Sequence, residues 1–145
     1  MIKLAAKPET LMSYYVAFLR ALYIIHQNHH WQTKGKYSYA EHLLFQRIYE
    51  AIQEMTDEAA EKCIGVYGEL EQQNISDIIS AIIKGTEDKS YVEISLIAEK
   101  KFQDLAKKTY DALKASGTLT LGLDDMIMSH ASNSEVHTYL LQQAL

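Results

Sequence analysis

The chain of 145 residues has a single cysteine, a single proline, a single tryptophan, and no run of about 18 apolar residues that could span a bilayer. Each scarcity excludes something. A lone Cys63 rules out an internal disulfide framework and fits a reducing compartment. With proline only at position 8, no ring clash interrupts a long helix further along. Positive charge is also short: 14 Lys and Arg against 19 Asp and Glu leave a formal charge of −5. That balance does not advertise nucleic acid or an anionic membrane as a partner. The opening MIKLAAKPET lacks a long apolar core and a small-residue cleavage pattern, so no secretion signal is expected. The length suits one domain with one core, and the expectation is a single cytoplasmic domain over residues 1–145.

What is present is helical periodicity. Leu11, Tyr15, Phe18, Leu22 and Ile25 recur at three and four residues, which lines one face of a helix. This first helix is expected to begin near Pro8, whose fixed φ suits a first turn, and to end before Gly35. A second opens at Ser38, where Ser38 and Glu41 spell a capping box; it carries Leu44, Phe45, Ile48, Ile52, Met55 and Ala59 inward and stops near Gly65. A short helix fits Asn74 to Lys84, with Asn74 as cap and Gly85 as terminator. A second capping box, Ser90 with Glu93, starts a helix that ends at Gly117, and a last helix fits Leu121 to Gln143. The alternation around Thr118 to Leu121 is too short for a strand. The expected fold is therefore all-α, a four-helix bundle with a short extra helix in the long connection between the second and third long helices.

The chemistry concentrates in His26 to Lys36, HQNHHWQTKGK, followed by YSYAEH ending at His42. A hairpin there would bring His30, near the end of one helix, close to His42, near the start of the next. Two imidazoles with one or more carboxylates suit a transition metal such as iron or zinc. The second helix also carries Asp57 and Glu61, four apart and so stacked on one face. Fifteen residues (57 − 42) separate His42 from Asp57. That spacing points the two side chains within about 60° of each other but leaves them roughly 22 Å apart along the axis. Metal–ligand bonds are only about 2.0–2.2 Å long. The two residues cannot hold one ion within one subunit. They can if two copies of this helix run antiparallel across a two-fold axis, which creates two identical sites.

At this point the chain resembles the Dps-like mini-ferritins, named for the DNA-binding protein from starved cells. The matching residues are His30-Trp31, Lys34-Gly35, His42, Asp57 and Glu61 at that family's spacings, with Asp125-Met126 and Glu135 through Leu140 similar to its last helix. The resemblance is vague from about Tyr67 to Leu113. It implies a homo-oligomer, a dodecameric shell built from two-fold dimers, that oxidises Fe(II) with peroxide or dioxygen and stores ferric iron, which limits oxidative damage. It implies His30 and His42 of one subunit, with Asp57 and Glu61 of its partner, as metal ligands. Trp31 would lie beside the centre and take up oxidising equivalents, and Asp125 matches an acidic position of the three-fold pores. Zinc is an alternative occupant.

Two positions depart from the family's pattern. Gln46 stands where a further aspartate is common, and a neutral amide is a poorer iron ligand; Glu50, Glu54 or Glu58 are the nearby carboxylates. The first seven residues hold only Lys3 and Lys7, and the chain closes on QQAL, so DNA binding through a basic tail does not carry over. The competing reading is a structural assembly of the same fold with a degenerate or zinc-binding site and no ferroxidase activity. A DNA-compacting protein is a third, disfavoured by the acidic balance. Full-length ferritin and bacterioferritin readings fail because their intrasubunit di-iron sites use Glu-x-x-His motifs, and none occurs here. His26 and His29 are expected as packing or surface residues, and His130 and His137 as core or interface histidines. Cys63 is expected as a buried helix residue.

Overall fold

A computed structural model describes residues 6–145, so Lys3 lies outside the described residues. The elements are α1 (Pro8–Gln32), α2 (Ser38–Tyr67), α3 (Ile75–Ile83), α4 (Tyr91–Ala115) and α5 (Leu121–Gln143), with no strand among the described residues. Short links fold α1 back on α2 and α4 back on α5, so each pair packs as an antiparallel hairpin. The two hairpins meet chiefly through α1 on α4. The α2-to-α4 crossing carries α3, which lies against α1 and α4 through the buried Ile78 and Ile82. The periodic positions predicted to point inward do so, Leu44 only in part. Tyr15, Leu22, Phe45, Ile48 and Ile52 are buried, joined by Phe102 and Leu113 of α4 and by Leu123 and Met126 of α5. Among the described residues no helix is long and apolar enough to cross a membrane.

The helix ends separate two similar sequence signals. At α4 the capping box forms in full: Ser90 Oγ accepts from Glu93 N–H at 3.1 Å and Glu93 Oε2 accepts from Ser90 N–H at 3.1 Å. At α2 the expected box does not form. Ser38 is already the first helical residue, Tyr37 holds the cap position, and Glu41 Oε2 instead accepts from Thr33 Oγ1 across the turn at 2.5 Å. The carboxylate ties the end of α1 to the start of α2 rather than closing its own first turn. The expected stop at Gly65 also moves. The helix runs through it to Tyr67, and Gly68, at φ +92°, takes the left-handed position that ends it. Tyr67 Oη donates to Thr118 O at 2.8 Å, which anchors that extra turn to the α4–α5 link.

These two serines should therefore respond differently to alanine. Ser90→Ala is expected to cost about 1 kcal/mol, read as a lower urea midpoint, because an N-cap oxygen is lost. Ser38→Ala is expected to stay within about 0.5 kcal/mol, since no cap is removed. Equal losses at both positions would contradict the capping geometry.

Candidate metal centre

The α1–α2 turn builds a paired imidazole. α1 ends at Gln32, and Gly35, at φ +103°, takes the left-handed conformation that lets residues 33–37 reverse the chain. His30 sits in the last turn of α1 and His42 in the second turn of α2. Their rings stack with centroids 3.6 Å apart and planes at 21°. The Nδ1 of His30 donates to the His42 carbonyl at 2.7 Å, and the Nδ1 of His42 donates to the His30 carbonyl at 2.8 Å. A carbonyl oxygen only accepts, so both Nδ1 atoms must carry their protons. In the neutral ring this places the lone pair on Nε2, the form a metal ion needs, and the hydrogen bond at the opposite nitrogen fixes the tautomer and ring orientation. The arrangement also satisfies the His30 carbonyl, one of the acceptors that the end of α1 leaves open. His30 is buried, His42 half-buried, and Tyr49 stands edge-on to His30 at 5.3 Å.

Asp57 and Glu61 are exposed on α2, more than three turns beyond His42. Asp57 borders a depression of about 380 Å³ that Arg20, Tyr23, Ile24, Gln53 and Thr56 also line. Among the described residues no three His, Cys, Asp or Glu side chains of one chain come together to hold a metal ion. The hairpin thus unites the two predicted histidines and leaves the two predicted carboxylates half the length of α2 or more away. Trp31 follows His30 and is 65% exposed. Gln46 is turned to its own helix, its Nε2 donating to Glu50 Oε1 at 2.9 Å. Glu58 is aimed elsewhere, toward His130 Nε2 at 3.3 Å. Asp125 is exposed just after the first turn of α5, beside Asp124, whose Oδ2 accepts from Tyr110 Oη at 3.3 Å.

A second polar cluster lies in the core, and its centre, Glu99, was not anticipated. Glu99 of α4 is 1% exposed. His26 Nε2 donates to its Oε1 at 2.8 Å and Ser134 Oγ donates to its Oε2 at 2.5 Å. Ser95 Oγ then lies between His26 Nδ1 (2.9 Å) and His29 Nδ1 (2.7 Å), having one proton to give and lone pairs to receive. His137 Nδ1 sits 3.5 Å from Glu99 Oε2 without a hydrogen-bond partner. Burial pushes the Glu99 carboxyl up, but His137 and His26 together outweigh it and hold it at about 2. Burial, with His26 beside it, holds His29 down at about 3, so that imidazole is neutral. The signal for Glu99 was its phase. It falls on the stripe of Val92, Ser95, Phe102 and Ala106, the buried side of α4.

Two antiparallel helix hairpins with a long crossing connection define the ferritin-like class of four-helix bundle. No protein-family model matches the chain, and no curated protein matches it in sequence. Solved structures narrow the class to a Dps-like fold. The chain superposes on Dps from Listeria innocua soaked with cobalt at TM-score 0.82, with 15% identity over 99% of this chain and 95% of that one. Dps from Thermosynechococcus elongatus gives 0.79, with 17% identity over 94% and 88%. Dps from Listeria monocytogenes gives 0.80, with 14% identity over 96% and 93%. At such identities the likeness establishes the fold.

Proposed function

We propose that this chain oxidises iron(II) and stores the ferric product in a Dps-like homo-oligomeric shell, with each oxidation site shared between two-fold-related subunits. The observation that carries the reading is the reciprocal Nδ1–carbonyl pairing of His30 and His42, which presents two neutral imidazole nitrogens with fixed tautomers. Asp57 and Glu61 of the partner would add the negative charge that favours Fe(III) over Fe(II). The distance along α2 supports the sharing, because these acids cannot reach their own chain's imidazoles. Ile24 and Leu43, each nearly half exposed, add apolar surface on α1 and α2 for a partner to cover. With Gln46 bound to Glu50, the donor set suits one iron per site rather than two. Trp31 would stand beside the iron, Asp125 would contribute to an acidic entry pore, and the dodecamer is the assembly this fold suggests. The chain would act as a single cytoplasmic domain. With a formal charge of −5, DNA binding would be weak or absent.

Gln46 also motivates the alternative, a structural shell whose site has decayed or takes zinc. Anomalous scattering from crystals soaked anaerobically in Fe(II), or in Co(II) as a surrogate that resists oxidation, separates an intact site from a decayed one, and iron(II) oxidation faster than in buffer separates a ferroxidase from a site that only takes zinc. One peak between His30 and His42 of one chain and Asp57 and Glu61 of its mate is the expected result. A two-fold interface that stays empty in both soaks, or a monomer by mass in solution, would overturn the ferroxidase reading.

A further inference from the structure

Tyr15 of α1 has no solvent exposure, and its ring packs against Phe102 at 5.4 Å and His130 at 6.0 Å. Its hydroxyl lies 2.9 Å from His130 Nδ1, while His130 Nε2 lies 3.3 Å from Glu58 Oε2. The proton positions follow from the far end. A carboxylate only accepts, so His130 Nε2 carries the hydrogen; Nδ1 is then the acceptor, and Tyr15 must be the donor. The result is a directed chain, phenol to imidazole to carboxylate, running from the middle of the bundle to the surface of α2. Burial, reinforced by the charge of Glu58, pushes the Tyr15 phenol above its ordinary value, so it does not ionise first. Burial lowers His130 despite the opposing influence of Glu58, which keeps the imidazole free to take a proton. A phenol in this setting can lose an electron only as its proton moves, and His130 is placed to receive it.

The outer end of the chain is one residue from Asp57 and one turn from Glu61. Tyr15 therefore lies across about one helix diameter, roughly 10 Å, from the carboxylates of its own chain. Reducing peroxide to two waters takes two electrons, and a site holding one iron(II) supplies one. A second donor is needed if no hydroxyl radical is to escape.

We propose that Tyr15 is that donor: a redox-active tyrosine that gives the second electron to peroxide at the iron site while its proton passes to His130 Nδ1. The inference rests on the ferroxidase reading above. In the step, iron(II) loses one electron and Tyr15 loses one. The O–O bond accepts both and breaks, and two solvent protons complete two waters. The Tyr15 hydroxyl proton stays on His130, leaving a neutral phenoxyl beside an imidazolium that faces Glu58. The next iron(II) returns an electron to the phenoxyl as the proton moves back to oxygen, which restores Tyr15 and yields a second iron(III).

The test loads anaerobic protein with one iron(II) per subunit, adds one equivalent of hydrogen peroxide and freezes the mixture within milliseconds. Iron(III) is followed optically, the radical by electron paramagnetic resonance, and escaping hydroxyl radical by a spin trap. Wild type is expected to form iron(III) together with a tyrosyl signal that narrows when the tyrosines are ring-deuterated. Tyr15→Phe is expected to form iron(III), lose that signal and release several-fold more trapped hydroxyl radical. His130→Gln keeps the phenol and removes the base, and is expected to cut the radical yield at least tenfold; it serves as the test if Tyr15→Phe does not fold. In iron-free protein oxidised by azide radical from pulse radiolysis, the exposed Trp31, Tyr37, Tyr39 and Tyr139 react first, and a slowly decaying tyrosyl component is expected in wild type but not in Tyr15→Phe or His130→Gln. Iron(III) formation with the same signal in Tyr15→Phe, a tryptophanyl signal from Trp31 in its place, or no effect of His130→Gln would overturn the donor role alone. Failure of wild type to oxidise iron(II) faster than buffer would overturn the ferroxidase reading and the donor role with it.

Discussion

Two inactive variants are expected to restore activity when mixed. His30→Ala with His42→Ala removes both nitrogen donors, and its iron(II) oxidation should fall to the rate in buffer. Asp57→Asn with Glu61→Gln removes both carboxylates and should be equally inert. In a shared site each heterodimer contains one centre missing all four ligands and one centre intact. Random 1:1 co-refolding therefore restores about one quarter of wild-type sites, because half the dimers are mixed and each has one good centre of two. A site confined to one chain would leave every mixture inert. The histidine variant also loses two Nδ1–H bonds to carbonyls that pin the α1–α2 turn, at about 1 kcal/mol each. The carboxylates are exposed, so their replacement should leave stability nearly unchanged. Solution mass of both parents must match wild type, and the rise of ferric absorbance after mixing is the readout. A mixture that stays at the buffer rate, with both parents correctly assembled, would refute the sharing of ligands.

The paired imidazoles were legible because they depend on local facts: a periodic face, a glycine turn and a second helix that starts after five intervening residues. The helix termini show where such reading stops. Ser38-x-x-Glu41 and Ser90-x-x-Glu93 are the same signal, yet only the second caps a helix. The difference is Thr33, which competes for Glu41 from across the turn, and no local pattern announces a competitor eight residues away. Gly65 was misread for a related reason. A glycine costs a helix about 1 kcal/mol but does not end it, and the bond from Tyr67 to Thr118 holds the turn beyond. His130 and His137 share a line with Leu123, Ile127 and Leu141 and are buried as that phase requires; His26 and His29, for which packing or surface positions were both open, are buried too. Their partners, Ser95, Glu99 and Glu58, were not legible, because each pairing joins two helices at positions 38 or more residues apart (137 − 99 for the nearest). The proposed carboxylate half of the metal site lies one step further out, since the chain that would complete it is a second copy.

Glu99→Ala is expected to cost about 3–5 kcal/mol, the scale seen when one member of a buried charged network is deleted. The deletion strands His26 Nε2–H and the Ser134 hydroxyl away from water, and each such donor carries its own desolvation cost. Glu99→Gln keeps the shape, and its amide can still meet His26 and Ser134, so its loss at neutral pH should be smaller. Both variants should change the same thing in acid. The folded carboxyl sits at about 2 against an ordinary 4.5, so its contribution is complete above about pH 4.5 and disappears as pH falls toward 2. The window corresponds to a decline on the order of 3 kcal/mol. His29, neutral and held at about 3, acts with the same sign over a higher window, from about pH 6.5 downward, and is retained in both variants. Subtracting the Glu99→Gln profile from that of wild type therefore isolates the carboxylate. Urea midpoints taken from pH 7 to 2.5 should converge below pH 4.5; parallel profiles would mean that Glu99 is not ionised in the folded chain. The same carboxylate also ties α1, α4 and α5 together inside the core. One carboxylate accepts from His26 and Ser134 together, and a shift of any of the three helices would break at least one of those bonds.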